Sequence, residues 1–144
     1  MSEEQQAPVF QIQRVYLKGM SLEQPDTPTI VNPDEDVRLE VSFSTKVNQI
    51  SEDFWEVTVT FTVQPKAKDK TIFLVEISQA GIFEISNLSD QNMGQLLHIT
   101  CPEIIFSYLR SNMGDVILRA GHTPVHLPNV DFQAMYEQQQ AANQ

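Results

Sequence analysis

The run WEVTVTFTV, residues 55–63, alternates without a fault. Trp55, Val57, Val59, Phe61 and Val63 fall on one side, and Glu56, Thr58, Thr60 and Thr62 on the other. Successive side chains of a strand point to opposite faces, so this run predicts a strand with one apolar and one hydroxyl-rich side. Threonine is polar yet strand-forming, which suits an antiparallel sheet packed on one face and wet on the other. VRLEVSF repeats the pattern, with Val37, Leu39, Val41 and Phe43 opposite Arg38, Glu40 and Ser42.

The stretch FLVEISQAGIFEIS, residues 73–86, alternates differently. Phe73, Val75 and Ile77 line one side, whereas Leu74, Glu76 and Ser78 line the other, so an apolar residue stands beside a carboxylate on the second face. Such a pairing suits a docking surface as well as an ordinary mixed sheet face. The polar segment QPKAKDK with Pro65 predicts a hairpin over 53–79. The first run, VFQIQRVYLKGMSLE, places Phe10, Ile12, Tyr16 and Met20 against Gln11, Gln13, Val15 and Leu17, so both faces carry apolar residues, as at a subunit seam. Residues 23–36 hold Pro25, Pro28 and Pro33 and predict a long extended connection.

After Gly81 the period becomes helical. Ser89 or Asp90 caps a first stretch to about Thr100, Pro102 breaks it, and Thr100 or Cys101 caps a second start. Ile104, Ile105, Tyr108, Leu109, Met113, Val116, Ile117 and Ala120 then recur at three- and four-residue spacing, which predicts a long amphipathic helix ended by Gly121. Asp131 opens a short last helix bearing Phe132, Met135 and Tyr136. The expected fold is α+β, a four-stranded antiparallel sheet with a long helix and a short C-terminal helix on one face. So few helices leave sheet surface over, and burial is expected to continue in an oligomer.

A length of 144 residues suits one domain, with about 1–8 and 138–144 as flexible tails. The net charge of −10 argues against nucleic acid and anionic membranes and favours basic partners or simple solubility. MSEEQQAP has no apolar leader core and no window is long enough to span a membrane, so a cytoplasmic location is expected. Cys101 is the single cysteine, so no internal disulfide is possible.

Catalytic chemistry is hard to find. His122 and His126 are four apart but flank Pro124 and have no further ligand nearby, so no metal site is expected. His98 and Cys101 are neighbours on a helical turn, a possible nucleophile pair without an evident orienting acid. The acidic residues of PDED, 33–36, lack the glycine and spacing of a calcium loop, and no phosphate-binding glycine loop occurs. The chain reads as a non-enzyme without a cofactor.

FQIQRVYLKGMSLEQP, FLVEISQAGIF, ITCPEIIFSYLRS and VDFQAMY, in that order from Phe10 to Tyr136, resemble the bacterial protein-export chaperones of the SecB family. The resemblance implies a homotetramer, a dimer of dimers with an eight-stranded sheet on each side, that binds unfolded preproteins and passes them to the SecA motor without nucleotide. It implies a SecA-binding face at Glu23, Leu74 and Glu76, suited to a basic, zinc-carrying SecA tail. It puts tetramer association on Phe73, Val75, Ile77 and Gln79. It also implies a client groove at Leu22, Val37, Leu39, Val41, Trp55, Phe132 and Tyr136, bordered by the Pro-rich crossover loop.

Three features depart from the family pattern. TPTIVNPDED carries no aromatic residue and offers only Ile30 and Val31, Gly19 stands where an acidic residue is common, and Thr123 replaces a common aromatic. These keep an alternative open, a SecB-like chaperone or scaffold dedicated to one partner, such as a toxin–antitoxin system.

Overall fold

The computed structural model describes residues 6–27, 37–125 and 127–143. Its strands are β1 (Val9–Glu23), β2 (Val37–Gln49), β3 (Phe54–Ala67), β4 (Lys70–Thr71) and β5 (Leu74–Ser86), and its helices α1 (Asp90–Gln95), α2 (Cys101–Arg119) and α3 (Phe132–Ala142). The antiparallel sheet has the order β1-β5-β3-β2, with β4 paired to β3. β1 and β2 are adjacent in sequence yet lie on opposite edges of the sheet.

Residues paired across strands share a face, and the register therefore sorts every side chain. One row reads Leu22, Val75, Val63, Val41 from edge to edge, and the next Ser21, Glu76, Thr62, Ser42. The first row belongs to the face under the helices and the second to an open face. Val57, Val59, Phe61 and Val63 are buried on the helix side, as their alternation predicts.

β1 departs from the expected alternation. The register slips between Ile12 and Arg14 and again between Leu17 and Gly19, leaving Gln13 and Lys18 as extra residues. Each bulge flips the phase of the strand. Phe10, Ile12, Val15, Leu17, Met20 and Leu22 therefore all share the helix-side face, and Tyr16 turns to the open one. The two-faced apolar pattern is one apolar face read across two bulges.

The sheet has five strands rather than four, and the strand ending the hairpin runs to Ser86, beyond the expected 79 and past Gly81. β3 extends through Pro65 to Ala67, and Lys68, at φ 57°, turns the chain back into β4. Ile72 and Phe73 follow in sequence, yet both are buried, so the chain leaves the pleat between β4 and β5. Farther along β5, Gly81 leaves room for the Phe83 ring, from which a Cβ would lie 2.9 Å.

Pro102 does not break the helix. It lacks the N–H that would bond the His98 carbonyl, and its ring would clash there in a regular turn. The chain widens instead into one π turn, Leu96–Thr100, in which the Cys101 N–H reaches the Leu96 carbonyl, and Thr100 makes no side-chain cap. Ser89 caps α1 by accepting from the Asn92 N–H at 3.2 Å, and Asp131 caps α3 from Ala134 at 3.0 Å. Gly121, at φ 90°, closes α2, with its own N–H on Leu118 and that of His122 on Ile117. α3 carries on through residues 138–142, expected to trail, with exposed side chains.

α2 lies over β5 and β3 and barely reaches β1. Ile105, Leu109, Met113 and Ile117 fill the space beneath it against Val75, Ile77 and Val59. Phe43, Phe61, Phe106 and Phe132 form one aromatic cluster with centroids 5.0–6.4 Å apart. Covering only the two central strands leaves apolar residues of both edge strands open.

Candidate functional site

On the open face, Glu23 pairs with Leu74, Ser21 with Glu76 and Gly19 with Ser78. The three residues expected to meet a basic partner are thus brought together at one end of β1 and β5. Glu76 is exposed and accepts from the Thr62 hydroxyl at 3.2 Å. Among the described residues neither Glu23 nor Glu76 has an ion-pair partner, whereas Glu40 is met by Lys66 at 3.4 Å.

The middle of this face holds a polar network. The bulge residue Lys18 sets its Nζ 2.7 Å from Glu56 Oε1, the Tyr16 hydroxyl donates to Glu56 Oε2, and Arg14 lies 5.3 Å over the Tyr16 ring. Hydrogen bonds from Lys18 and Tyr16 hold the Glu56 carboxyl below its usual range. Burial, followed by the bond to Glu56, pushes the Tyr16 phenol up to about 12. Glu56 is therefore neutralised locally; among the described residues the acids of this face without an ion-pair partner are Glu23 and Glu76 at one end and Glu84 toward the other.

The opposite set of β5 is interior. Phe73, Val75, Ile77 and Gln79 lie beneath α2, none more than 3% exposed, and Gln79 Oε1 accepts from Asn112 Nδ2 at 2.7 Å. The two alternating sets of the strand have different surroundings, core for one and open face for the other.

On the helix side, Val37, Leu39, Val41 and Phe43 form a stripe along β2, exposed at 47%, 39%, 38% and 37%. Phe132 is buried, 6.4 Å from Phe43, and forms its floor. The remaining groove residues are spread out. Leu22 shares a row with Val41 but stands on the other edge strand, about 14 Å away across the buried Val75 and Val63. Trp55 lies eight residues along β3 from Val63, about 27 Å from that row. Tyr136 stacks on His98 at 5.2 Å, on the π turn.

The sequence pattern missed a cavity of about 610 Å³ at the sheet end, where Val37, Pro65, Ile72, Phe73, Val125 and His122 come together. Its residues come from β2, β3, the β4–β5 corner and the loop after α2, so no periodicity joins them. The apolar residues of β1 that the sequence placed at a subunit seam form one edge stripe, where Phe10, Ile12, Leu17 and Met20 are 36–51% exposed.

The chemical alternatives lose support. Burial pushes the Cys101 thiol up to about 12, and it lowers the His98 imidazole while that ring stacks on Tyr136. A protonated, buried thiol is a poor nucleophile. His122 is engaged with Gln24 at 2.9 Å and with the Phe73 ring at 5.0 Å. Among the described residues no three His, Cys, Asp or Glu side chains gather as metal ligands, and His126, Ile30, Val31 and PDED lie outside those residues. No described helix is long and apolar enough to cross a membrane.

Comparison with known proteins agrees with the motif series. The family model for the preprotein translocase subunit SecB matches residues 3–143. The protein-export protein SecB of Verminephrobacter eiseniae is 54% identical over 138 residues, 96% of this chain and 91% of that protein. That of Methylibium petroleiphilum is 51% identical over 145 residues, 100% of this chain and 89% of that protein. Among solved structures, the SecB-like chaperone of Mycobacterium tuberculosis, determined with a ChAD peptide from the HigA1 antitoxin, superposes with a TM-score of 0.68. It is 13% identical and covers 84% of this chain and 90% of that one, a likeness of fold.

Proposed function

Because the chain belongs to the SecB family of preprotein translocase subunits, it is a protein-export chaperone, and we propose that it holds preproteins unfolded in the cytoplasm without nucleotide and delivers them to SecA. The observation that supports this most is the unequal covering of the sheet. Helices bury the centre and leave apolar side chains of β2 and β1 open at 36–51% along both edges. Such stripes take up extended chain by burial and stacking, with little demand for sequence, and need no catalytic group or cofactor.

Clients lie along Val37, Leu39, Val41 and Phe43, with Phe132 as floor, and the cavity beside Val37 extends that surface. Leu22, Trp55 and Tyr136 serve as separate contacts for a chain that runs on around the protomer. SecA docks on the other face, at Glu23, Leu74 and Glu76, where acid without a cation partner among the described residues suits its basic tail. The chain acts as one domain and assembles as a dimer of dimers. Phe73, Val75, Ile77 and Gln79, being interior, influence that assembly by setting the position of α2 above them.

The test is a titration with SecA, and with SecA lacking its C-terminal tail, read by light scattering at low and high salt. A tetramer showing tail-dependent, salt-sensitive binding, and slowing the folding of a slow-folding precursor at near-equal ratio, meets the expectation. A tetramer that ignores SecA and diverse unfolded chains would point to a dedicated partner instead.

A further inference from the structure

The cavity at the sheet end is closed on one side by a polar device. Gln24 follows β1, and its side chain spans to the far end of α2. Its Nε2 donates to the Ala120 carbonyl at 3.1 Å, and its Oε1 is 2.9 Å from His122 Nε2. The same turn is held a second time, because the Thr71 N–H donates to Asp26 Oδ2 at 2.8 Å. The His122 ring in turn lies 5.0 Å over Phe73, whose side chain lines the cavity.

Both polar atoms of one amide are thus used to join segments 96 and 98 residues apart in sequence. Gln24 can do this because the Schellman turn at Gly121 directs the Ala120 carbonyl and the His122 ring toward β1. Neither Gln24 nor His122 belongs to the apolar patterns, and Thr123 next to His122 is a small polar residue. The wall on this side is therefore set by hydrogen-bond geometry rather than by the packing of large side chains.

We propose that Gln24 is a positioning residue for client recognition: by clamping the end of β1 to the Ala120 carbonyl and His122, it fixes one wall of the 610 Å³ cavity and sets which client side chains that cavity accepts. The proposal rests on the reading of this chain as a holder of unfolded polypeptide. With the clamp closed, aliphatic side chains fit against Val37, Ile72 and Val125. With it released, the wall is free to retreat, and the affinity for the large planar ring of tryptophan rises relative to that for leucine. Specificity is a ratio of affinities, so this ratio, rather than affinity alone, reports on the clamp.

Two unstructured peptides, identical but for a central Leu or Trp, are titrated by fluorescence anisotropy against the full chain and its variants, each with its thermal melt. Gln24→Met keeps the length of the side chain and removes both bonds. Gln24→Glu keeps the oxygen facing His122 and sets a carboxylate against the Ala120 carbonyl. The Trp-to-Leu affinity ratio should rise about fivefold in Gln24→Met, a change of the size that two neutral hydrogen bonds can support. His122→Ala should shift it in the same direction, and the double variant no further than either alone.

A ratio unchanged in Gln24→Met, with peptide still bound, overturns the proposal, as would a loss of both affinities in equal proportion. Should Gln24→Met fail to fold, the same ratio read in Gln24→Glu and His122→Ala decides between the same outcomes. Wild-type protein that binds neither peptide would instead overturn the chaperone reading on which the proposal depends.

Discussion

Replacing Leu39 and Val41 by serine separates client surface from core. The two side chains are 39% and 38% exposed on the helix-side face of β2. Burying a whole aliphatic side chain stabilises by about 1.5–3 kcal/mol, so the open two fifths of each leave about 1 kcal/mol for a bound chain to recover. Each substitution should therefore weaken binding of an unfolded peptide about fivefold. Because the two are neighbours on one strand face, the pair should fall short of full additivity, at about 10- to 25-fold. The covered three fifths carry a folding cost of about 1–2 kcal/mol per site, which a domain of ordinary stability survives. Phe132→Ala is the contrasting case: at 2% exposure the ring is core, and its loss should cost about 3–5 kcal/mol. Peptide titration beside urea unfolding reads both quantities. If the serine pair binds peptide as wild type does while unfolding earlier, the stripe is only the margin of the core and the reasoning fails.

On the open face, a Cβ at Gly19 would meet nothing within 4 Å, and Gly19 pairs with Ser78, next to Ser21 and Glu76. Gly19→Asp should thus tighten the hold on a SecA tail peptide, and Glu76→Lys should weaken it, by about three- to tenfold at low salt. Both effects should shrink at high salt, and salt-independent changes would argue against an electrostatic contact. The Tyr16–Glu56–Lys18 network predicts two pH flanks for stability. Glu56, held low in the fold, contributes stability that is present above the ordinary carboxylate range and lost as pH falls through its folded value. Tyr16, pushed up to about 12, contributes stability that is complete below the ordinary phenol value of 10.0 and lost as pH rises toward 12. Melting temperature against pH should lose part of both flanks in Glu56→Gln, and identical profiles would show that the network does not stabilise the fold. Cys101, buried with its thiol pushed up to about 12, should resist thiol reagents until the chain unfolds, and Cys101→Ala should leave peptide binding intact. Rapid modification of the folded protein would contradict the burial.

Periodicity made β2, β3 and the first half of β5 legible because each buries one face of an unbroken pleat. The same signal misled in β1. An extra residue changes phase without changing composition, so the bulges at Gln13 and Lys18 made one apolar face look like two. Pro102 misled differently, since here a π turn absorbs the ring and the helix continues, above the buried Leu97 and Cys101, which periodicity does not signal. The candidate sites divide in the same way. Glu23, Leu74 and Glu76 meet as neighbours across two paired strands, a placement that follows from strand pairing once the family resemblance is recognised. Leu22, Trp55 and Tyr136 reached the groove only through that resemblance, and the fold sets them apart.

Bulges and helix placement together explain how one small sheet presents two unlike surfaces. Without the slips at Ile12 and Leu17, part of the apolar set of β1 would face the open side and mix with Glu76, Thr62 and Thr60. With them, Phe10, Ile12, Val15, Leu17, Met20 and Leu22 all join the side of α2, and of the residues counted as apolar only Tyr16, whose hydroxyl meets Glu56, turns away. The open side is left with hydroxyls, the Glu56 network and the acids at the end of β1 and β5. The flipped phase also exposes Lys18 to Glu56, so the residue that creates the second bulge is the one that neutralises the carboxylate nearest the centre. A chain that must hold greasy, unfolded polypeptide and also meet a basic partner benefits from keeping these surfaces on opposite faces, because occupation of one then leaves the other free.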